Sequence, residues 1–267
     1  MKLRAIGLAL LLAAAPAAMA QATPVPRTDI VELRKEALAD PAIKAVLQDA
    51  SRSIEMRLKD DARNVEIILK ASKAKAGDRV LDVGSIGGYM AILFSNLVGP
   101  KGHVDIHNTP SWIAQFPWVA EDKQKKVIKN PNVGWLALSW NDLDAPANSY
   151  DVVVMGRVYH DVLVESGDYE LLNSRVFKML KPGGRVLIED HDADPAMRAD
   201  QQASLHRISH ENVAKQLMEA GFAYTDLILF ESKSDNQKTD VFRPGVRGRT
   251  DHFIAIFQKP LDGKPLR

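Results

Sequence analysis

The chain has 267 residues, of which 46% are hydrophobic and 26% are charged, and these are ordinary values for one globular domain with a sizeable core. A formal net charge of +1 at pH 7 indicates neither a nucleic-acid partner nor binding to an anionic membrane surface. The absence of cysteine excludes disulfides, thiolate metal sites, cysteine nucleophiles and a lipid-modified cysteine anchor.

The beginning of the chain differs in kind from the rest. Lys2 and Arg4 form a positive start, an apolar run covers residues 5–15, and Ala18-Met19-Ala20 places small residues at the cleavage positions. This pattern predicts a secretory signal peptide over residues 1–20, export to the bacterial periplasm and no stable membrane insertion after cleavage. The alternative, an uncleaved membrane anchor, is disfavoured because the run is shorter than the ~20 residues that span a bilayer.

Helical signals precede the first strand. Residues 21–28 contain two prolines and are predicted to be a mobile linker. Residues 29–76 are predicted to form a helical cap, in which Asp29 and Pro41 begin helices. A third helical segment is predicted from about Ser51 to Ala71 because its apolar residues recur at three- and four-residue spacings. The charged residues inside that segment are interpreted as a solvated face.

The stretch from residue 77 to residue 108 predicts a strand, a glycine loop, a helix and a second strand. The strand Arg79–Val83 is followed at once by Gly84-Ser85-Ile86-Gly87-Gly88, and an apolar run continues to Leu97. Glycine permits positive φ and a close approach of backbone to ligand, while a helix N-terminus presents unpaired N–H groups. The loop departs from the G-x-G-x-x-G pattern, so a dinucleotide pyrophosphate is not the expected ligand.

Polar residues follow the next two predicted strands. The second strand ends at Asn108, whose amide can accept one hydrogen bond and donate another. The third strand, residues 133–138, is followed by Trp140, Asn141 and Asp142. An indole can stack on a flat ligand, but a turn rich in Asn and Asp is also what any strand end requires, and both interpretations stay open.

Candidate proton-transfer residues follow the fourth and fifth strands. Residues 159–161 bring a phenol, the imidazole of His160 and the carboxylate of Asp161 to the end of the fourth strand. Asp190 and His191 lie at the end of the fifth. A structural histidine with a helix-capping Asp is the competing interpretation of the first group. The acidic run 189–194 is interpreted as a polar loop rather than a metal site, because ligands at consecutive positions rarely converge.

Strands and helices alternate from residue 77 to about residue 260, and the last two strands, residues 222–231 and 252–258, are predicted to be antiparallel. This order predicts an α/β fold with a mostly parallel, seven-stranded Rossmann-like sheet, helices on both faces and a helical N-terminal cap. Residues 29–267 are predicted to form a single domain. The arginine-rich segment 232–250 is interpreted as a solvated loop, and the alternative is a flap that closes on an anionic group.

Two local features resemble the class I S-adenosylmethionine-dependent methyltransferases. The first is an acidic residue at the end of the first strand, directly before the glycines. Asp82, Gly84 and Gly88 match that family's E/D-x-G-x-G-x-G motif, whereas Ile86 replaces its central glycine. The second is the turn L-K-P-G-G at residues 180–184, which leads into an apolar strand.

A broader similarity covers about residues 52–260. Segments such as LKDDARNVEIIL, VVVMGRVYHD and LKPGGRVLIEDH resemble a group of exported, predicted bacterial methyltransferases. The resemblance implies a methyltransferase domain with S-adenosylmethionine as cofactor, but no particular substrate. It implies the following cofactor-binding residues: Asp82, Gly84, Ser85 and Gly88 for the methionine part, Asn108 for the ribose, and Trp140, Asn141 and Asp142 for the adenine. Asn108 lacks the charge of the acid that this class usually has there.

The sequence therefore predicts an S-adenosylmethionine-dependent methyltransferase that acts on an unidentified small-molecule acceptor, without a metal site or a nucleic-acid partner. His160 or His191, assisted by Asp161 or Asp190, is expected to take a proton from the acceptor where one must leave. Export opposes this hypothesis, because a charged cofactor made in the cytoplasm does not cross a bilayer unaided. A non-catalytic periplasmic ligand-binding module on the same fold is the alternative. A nicotinamide-dependent oxidoreductase is disfavoured by the glycine pattern and by Asn108.

Overall fold

A computed structural model describes residues 23–50, 52–235 and 238–266. The predicted signal peptide, residues 1–20, lies outside these residues, and so does its predicted cleavage site. Within the described part of the chain, no helix has both the length and the apolar character needed to cross a bilayer.

A single sheet of seven strands forms the centre of the fold, in the order β3-β2-β1-β4-β5-β7-β6. The strands are β1 (Arg79–Val83), β2 (His103–Asn108), β3 (Val133–Ala137), β4 (Tyr150–Gly156), β5 (Leu180–His191), β6 (Ala223–Phe230) and β7 (His252–Gln258). Neighbouring strands from β3 to β5 pair in parallel, and β7 is antiparallel to both β5 and β6. The predicted mostly parallel α/β fold is confirmed.

Helices connect the strands and cover both faces. They are α1 (Ile30–Leu38), α2 (Pro41–Gln48), α3 (Ile54–Arg57), α4 (Asp60–Arg63), α5 (Val65–Ser72), α6 (Tyr89–Val98), α7 (Pro110–Gln115), α8 (Glu121–Gln124), α9 (Asp161–Val164), α10 (Tyr169–Met179), α11 (Ala199–Ser204) and α12 (His210–Glu219), with a 3₁₀ turn at Pro117–Val119. The Asp29 carboxylate caps α1 and that of Asp40 caps α2, where Pro41 is the first residue.

The two faces of the sheet bury separate hydrophobic clusters. Leu81 and Val83 pack on one face with residues from α10 and α12. Val80, which points to the opposite face, packs with residues from α1, α2, α5 and α6. Both faces of the sheet are therefore covered by apolar side chains, as expected of a parallel sheet. The polar side chains of the candidate site lie at the carboxyl ends of the strands.

The third predicted helix is interrupted, which corrects the expectation of one segment from Ser51 to Ala71. It consists of three short helices, and Asn64 separates the last two in a left-handed conformation with φ 46°. The Asn64 side chain accepts a hydrogen bond from Arg34 Nη2 at 3.0 Å. Asn is among the residues that adopt this conformation most readily, so a local break of this kind overrides apolar periodicity.

The predicted linker is docked at its carboxyl end. The Arg27 N–H donates to Leu227 O at 2.7 Å, and Arg27 O accepts from the Leu229 N–H at 3.1 Å. Arg27 therefore extends the sheet beside β6. This pairing corrects the expectation of a mobile linker at Arg27 alone.

Candidate active site

The glycine loop between β1 and α6 surrounds a buried carboxyl group. Asp82 is 2% exposed, and its Oδ2 accepts a hydrogen bond from Ser85 Oγ at 2.5 Å. Burial raises the pKa of Asp82 to about 7, and the Ser85 hydrogen bond and the positive charge of Arg63 only partly oppose this. A ligand that brings a positive charge next to this carboxyl would favour its ionised form and lower its pKa.

Two glycines of the loop cannot be replaced without strain. Gly84 has φ +67°, and a Cβ there would lie 2.9 Å from Val158 Cγ2. Gly88 has φ +71°, and its Cβ would lie 2.4 Å from Ile128 Cδ1. The loop therefore needs glycine both for its conformation and for its close packing.

Two amide side chains hold Ile86, the residue that departs from the glycine motif. Ile86 has φ 51°, an unfavourable conformation for a β-branched residue. Its N–H donates to Asn108 Oδ1 at 2.7 Å, and its carbonyl accepts a hydrogen bond from the Gln124 side chain. Asn108 therefore fixes the loop with the oxygen that was expected to face a ribose. Gln124 was not identified from the sequence, because it lies 38 residues from its partner.

A buried histidine on β2 also supports the loop. His107 Nδ1 accepts from the Gly84 N–H at 3.3 Å, and its Nε2 donates to Leu138 O at 2.8 Å, which fixes the tautomer. Burial lowers the pKa of His107 to about 4, so the ring stays neutral. Its place in an apolar strand gave no sign of this role in the sequence.

Trp140 lies in the core rather than on an open binding surface. Its ring packs edge-on against Trp112, with centroids 5.4 Å apart, and only 2% of the residue is exposed. Its indole N–H donates to Glu165 Oε2 at 2.9 Å. The structure therefore corrects the expectation that this ring offers a free face to adenine and favours the core interpretation. Glu165 also accepts from the Thr109 hydroxyl at 2.9 Å, a contact that was not identified from the sequence.

Asn141 and Asp142 form turns, which is the second of their two interpretations. Asn141 Oδ1 accepts from the Asp168 N–H at 2.9 Å. The Asp142 carboxylate accepts from the Ser139 hydroxyl at 2.6 Å and is exposed. Asn141 and Trp140 nevertheless line a cleft of about 170 Å³ beside Asn108, which leaves room for part of a ligand at this edge.

Three charged side chains meet beside the loop. Glu189 Oε2 accepts from Arg63 Nη2 at 2.9 Å, and its Oε1 accepts from Arg157 Nε at 2.6 Å. Burial alone would raise the pKa of Glu189, but the two guanidinium groups outweigh it and hold that pKa below its ordinary value. The cluster carries a net charge of +1. Arg63 is thus part of a buried ion cluster, which corrects the solvated-face interpretation for this residue.

His160 and Asp190 form a hydrogen-bonded pair across β4 and β5. His160 Nδ1 donates to Asp190 Oδ1 at 2.7 Å, and the backbone N–H of His160 donates to Oδ2 at 3.1 Å. Burial opposes the charged imidazole, but the Asp190 and Asp161 carboxylates outweigh it and raise the pKa of His160 above its ordinary value. The Nε2 atom is therefore a basic nitrogen, and its ring is oriented by a carboxylate.

The residues next to His160 and Asp190 in the chain have different surroundings, and not all of them face a ligand site. Asp161 Oδ1 lies 3.4 Å from His160 Nε2. Tyr159 points into the core, where its hydroxyl bonds Gln216 at 2.9 Å. His191 Nδ1 bonds the Thr250 hydroxyl at 2.7 Å, and burial together with the positive charge of Arg157 lowers the pKa of His191 well below its ordinary range. The structure therefore favours His160 over His191 as a proton acceptor.

A cavity of about 560 Å³ connects the glycine loop to this pair. Ile86 lines its wall on the loop side, and His160 and His206 line it on the other. The aromatic rings of Trp112, Phe116 and Phe242 also face it. The cavity therefore combines flat apolar walls with several ionisable side chains, among which His160 is held by a buried carboxylate.

A family model described as a methyltransferase domain matches residues 56–227. The chain belongs to the methyltransferase domain family. Its fold is similar to the crystal structure of an S-adenosylmethionine-dependent methyltransferase from Aquifex aeolicus, with a TM-score of 0.55 and 18% identity over 87% of this chain and 99% of that chain. The predicted class I methyltransferase is thus confirmed at the level of family and fold, and S-adenosylmethionine is the cofactor that the family implies.

Two curated relatives carry quinone-related names. The methyltransferase domain is 31% identical over 123 residues to the ubiquinone/menaquinone biosynthesis C-methyltransferase of Vibrio cholerae, which covers 45% of this chain and 44% of that protein. It is 29% identical over 163 residues to the 2-phytyl-1,4-naphtoquinone methyltransferase of Synechococcus elongatus, which covers 60% of this chain and 67% of that protein. The chain spans about half the length of the Vibrio relatives that it matches.

The glycine loop of this methyltransferase domain fits the methionine part of the cofactor. The Asp82 carboxyl, at the end of β1 just before this loop, has the neutral Ser85 hydroxyl as a hydrogen-bond partner. An ammonium group satisfies such a carboxyl, and the positive cluster of Arg63 and Arg157 beside it suits a carboxylate. These are the two charged ends of an amino-acid tail.

The long loop between β6 and β7 is anchored by a buried ion pair. Arg207 Nη2 lies 2.6 Å from Asp235 Oδ1, and both side chains are fully buried. The loop places the Phe242 ring edge-on to His206, with centroids 4.9 Å apart, while Arg247 lies over the outer side of Phe242. The loop therefore meets the cavity with Phe242, and not with the arginines of the flap that was the alternative interpretation of this segment.

Proposed function

We propose that this chain methylates a small hydroxylated aromatic acceptor, such as a quinol, with S-adenosylmethionine as the methyl donor. The observation that supports this proposal is that one cavity is lined both by Ile86 of the glycine loop and by His160. Its walls carry aromatic rings and it is lined by His160, a histidine oriented by a carboxylate, which suits a flat ring with an ionisable hydroxyl. The names of the two quinone methyltransferases support the same acceptor class.

Asp82 and the arginine cluster are proposed to hold the amino-acid end of the donor. The donor supplies a methyl group on a positively charged sulfur, and the protein mainly positions it against the acceptor. Ile86 lies where the loop and the cavity meet, and its side chain therefore separates the methionine part from the acceptor ring. Asn108 is proposed to contribute its N–H groups to the ribose, since its oxygen is used by the loop.

His160 is proposed to take the acceptor proton. Its Nε2 receives the hydroxyl proton, and the Asp190 carboxylate stabilises the resulting imidazolium through Nδ1. The deprotonated acceptor oxygen then forms a bond to the methyl carbon as the bond from that carbon to sulfur breaks. The sulfur leaves as a neutral thioether, so charge and atoms balance. Asp161, 3.4 Å from Nε2, adds a second negative charge that favours the protonated ring.

The test has a matched pair of variants. Asp190→Asn removes the carboxylate from His160, whereas Asp192→Asn removes an equivalent carboxylate from His210, which lies 3.1 Å away outside the cavity. With radiolabelled donor and a panel of hydroquinones and catechols, Asp190→Asn should lower kcat by about 10²–10⁴-fold. Asp192→Asn should stay close to the unsubstituted protein. Equal activities for the two variants would exclude His160 as the proton acceptor.

The non-catalytic binding module is a second candidate, because Asn108 and Trp140 have structural tasks at positions expected to contact the cofactor. Calorimetric titration with S-adenosylmethionine and with its demethylated product separates the two. Methyl transfer to any acceptor supports the enzyme, while binding without transfer supports the module.

We propose export only on the basis of the signal-peptide pattern at residues 1–20. Cell fractionation should place the mature protein in the periplasm, and its amino-terminal sequence should begin at Gln21. An intact amino terminus in the cytoplasmic fraction would contradict this. That result would also remove the objection about cofactor supply.

A further inference from the structure

Three potential metal ligands converge at the wall of the cavity. His160 Nε2 and Asp161 Oδ1 are 3.4 Å apart, and His206 Nδ1 lies 3.6 Å from the same oxygen. All three ligand atoms lie within 4.8 Å of one another. Metal bonds of about 2.1 Å at tetrahedral angles place ligand atoms about 3.4 Å apart, so a small closure of the two imidazoles would complete the site.

The surroundings orient these ligands. The Nδ1 of His160 donates to Asp190, a fully buried carboxylate, and this leaves Nε2 as the nitrogen with a free lone pair facing Asp161. A carboxylate behind a histidine is the arrangement that fixes the tautomer and the ring direction of metal-binding histidines. Phe242 packs against the ring of His206 and limits its rotation.

We propose that His160, Asp161 and His206 bind one divalent transition-metal cation of the zinc class. Two imidazoles and one carboxylate suit such ions better than magnesium or calcium, which prefer oxygen ligands. Three protein ligands leave a fourth position free, and it faces the cavity that these residues line. This differs from the acidic run 189–194, because the ligands come from two separate elements that the fold brings together.

The charges around the site favour a cation. Asp161 and Asp190 contribute two negative charges, the guanidinium of Arg207 is neutralised by its buried pair with Asp235, and that of Arg157, which lines the same cavity, is paired with Glu189. A bound cation would also lower the pKa of an acceptor hydroxyl placed at the open position. In the loaded protein the cation would then take over the task that His160 Nε2 has in the metal-free protein.

A second cluster serves as a comparison. Asp192, His210 and Glu211 also lie within metal-binding reach of one another, but His210 and Asp192 are half-buried and Glu211 is exposed. This cluster lies at the start of α12 and does not line the cavity, and the carboxylate that His210 Nδ1 contacts is the half-buried one of Asp192. We therefore expect a tightly bound cation to occupy the cluster of His160, Asp161 and His206, and not the second cluster.

The experiment measures metal binding by the free, tag-free protein, so its outcome does not depend on methyl transfer. Chelator-treated protein is titrated with Zn²⁺ against a chromophoric competitor, and Co²⁺ absorption reports ligation. One equivalent should bind, and His206→Asn should weaken the affinity at least 100-fold. His206 has φ 54°, which Asn adopts readily, so this variant should keep its fold. Asp190→Asn should weaken the affinity about 10–100-fold through His160.

Two histidine controls complete the design. His210→Asn removes a ligand of the second cluster, and His103→Asn removes a histidine that bonds Asp105 at the far end of β2. Both should leave the zinc affinity unchanged. The proposal is overturned by unaltered affinity in His206→Asn, by loss of binding in His210→Asn alone, or by the absence of stoichiometric binding. Those outcomes would leave the proposed methyl transfer standing, because its test uses no metal.

Discussion

The buried carboxyl of Asp82 should cost the free protein stability at neutral and alkaline pH. Its pKa lies at about 7 in the folded protein and near 3.8 when exposed, because burial disfavours the charged form. A raised folded-state pKa gives a stabilising contribution that is fully present below pH ~4 and is lost as the pH rises through about 7. Asp82→Asn removes this titration, and the amide can still accept the Ser85 hydrogen bond.

The size of the effect follows from the shift. A change of about 3 pKa units, at about 1.4 kcal/mol each, amounts to about 4 kcal/mol once the pH exceeds the folded pKa. Asp82 is fully buried, so solvent screening does not reduce this number. Relative to the unsubstituted protein, Asp82→Asn should therefore gain about 4 kcal/mol of unfolding free energy between pH 4 and pH 8.5.

Urea unfolding followed by tryptophan fluorescence at several pH values measures this difference. Asp142→Asn is the matched control, because Asp142 also accepts a hydrogen bond from a serine three residues away but is exposed. Its unfolding free energy should follow that of the unsubstituted protein across the whole range. Parallel curves for Asp82→Asn and the unsubstituted protein would refute the reasoning, since they would mean that the pKa of this carboxyl is the same in the folded and the unfolded protein.

The same titration links stability to cofactor binding. If the ammonium group of the donor binds Asp82, the carboxyl ionises on binding and releases its proton. Near pH 7 about half of a proton should be released per donor bound, and less at pH 8.5. Calorimetry in two buffers of different ionisation enthalpy measures the release, and Asp82→Asn should abolish both the release and tight binding.

Three further predictions concern neighbouring residues. Gly84→Ala should cost about 2–4 kcal/mol of stability and most of the cofactor affinity, whereas Gly77→Ala, at an equally left-handed position with no atom near its Cβ, should cost only about 1–2 kcal/mol by urea unfolding. Asn108→Ala should cost about 1–3 kcal/mol and weaken cofactor binding in calorimetry, since it orphans a loop N–H. Arg207→Met should cost about 3–5 kcal/mol in thermal unfolding, against less than about 1 kcal/mol for Arg198→Met in an exposed pair.

Most of the fold could be predicted from local sequence patterns. Asp29 and Pro41 begin helices as predicted, because capping and a fixed φ act within one helical turn. The strands were predictable from short apolar runs bounded by turn residues. The break at Asn64 was missed, because apolar spacing on both sides of it continues the helical pattern while its left-handed conformation does not.

Candidate site residues were predictable from the sequence where they lie at the ends of the parallel strands. The glycine loop, His160 and Asp190 all lie at strand ends, where a parallel sheet gathers ligand-binding residues. Gln124, Glu165 and Arg63 were missed, because each reaches its partner through the folded chain. Long-range contacts also decided the role of Trp140, whose sequence context is equally compatible with core packing and ring stacking.

Ile86 allows a last prediction, about the departure from the glycine motif. Its φ of 51° costs about 1–2 kcal/mol relative to a conformation that suits a side chain, and glycine would remove this cost. Glycine also loses the partly buried side chain at the cavity wall, worth about 1 kcal/mol, and more chain entropy on folding. The terms nearly cancel, so Ile86→Gly should change the unfolding free energy by less than about 1 kcal/mol.

Lys73→Gly is a control that measures only the free-energy cost of a left-handed conformation at a residue with a side chain. Lys73 ends α5 with φ 55°, is exposed and lines no part of this cavity, so glycine should gain about 1 kcal/mol there. If Ile86→Gly gained as much, the isoleucine side chain would contribute nothing and the cavity wall would not depend on it. If it gains less, as we expect, the isoleucine side chain stabilises the cavity wall. The KM for the acceptor should then rise in Ile86→Gly while the affinity for the methyl donor is kept or improved.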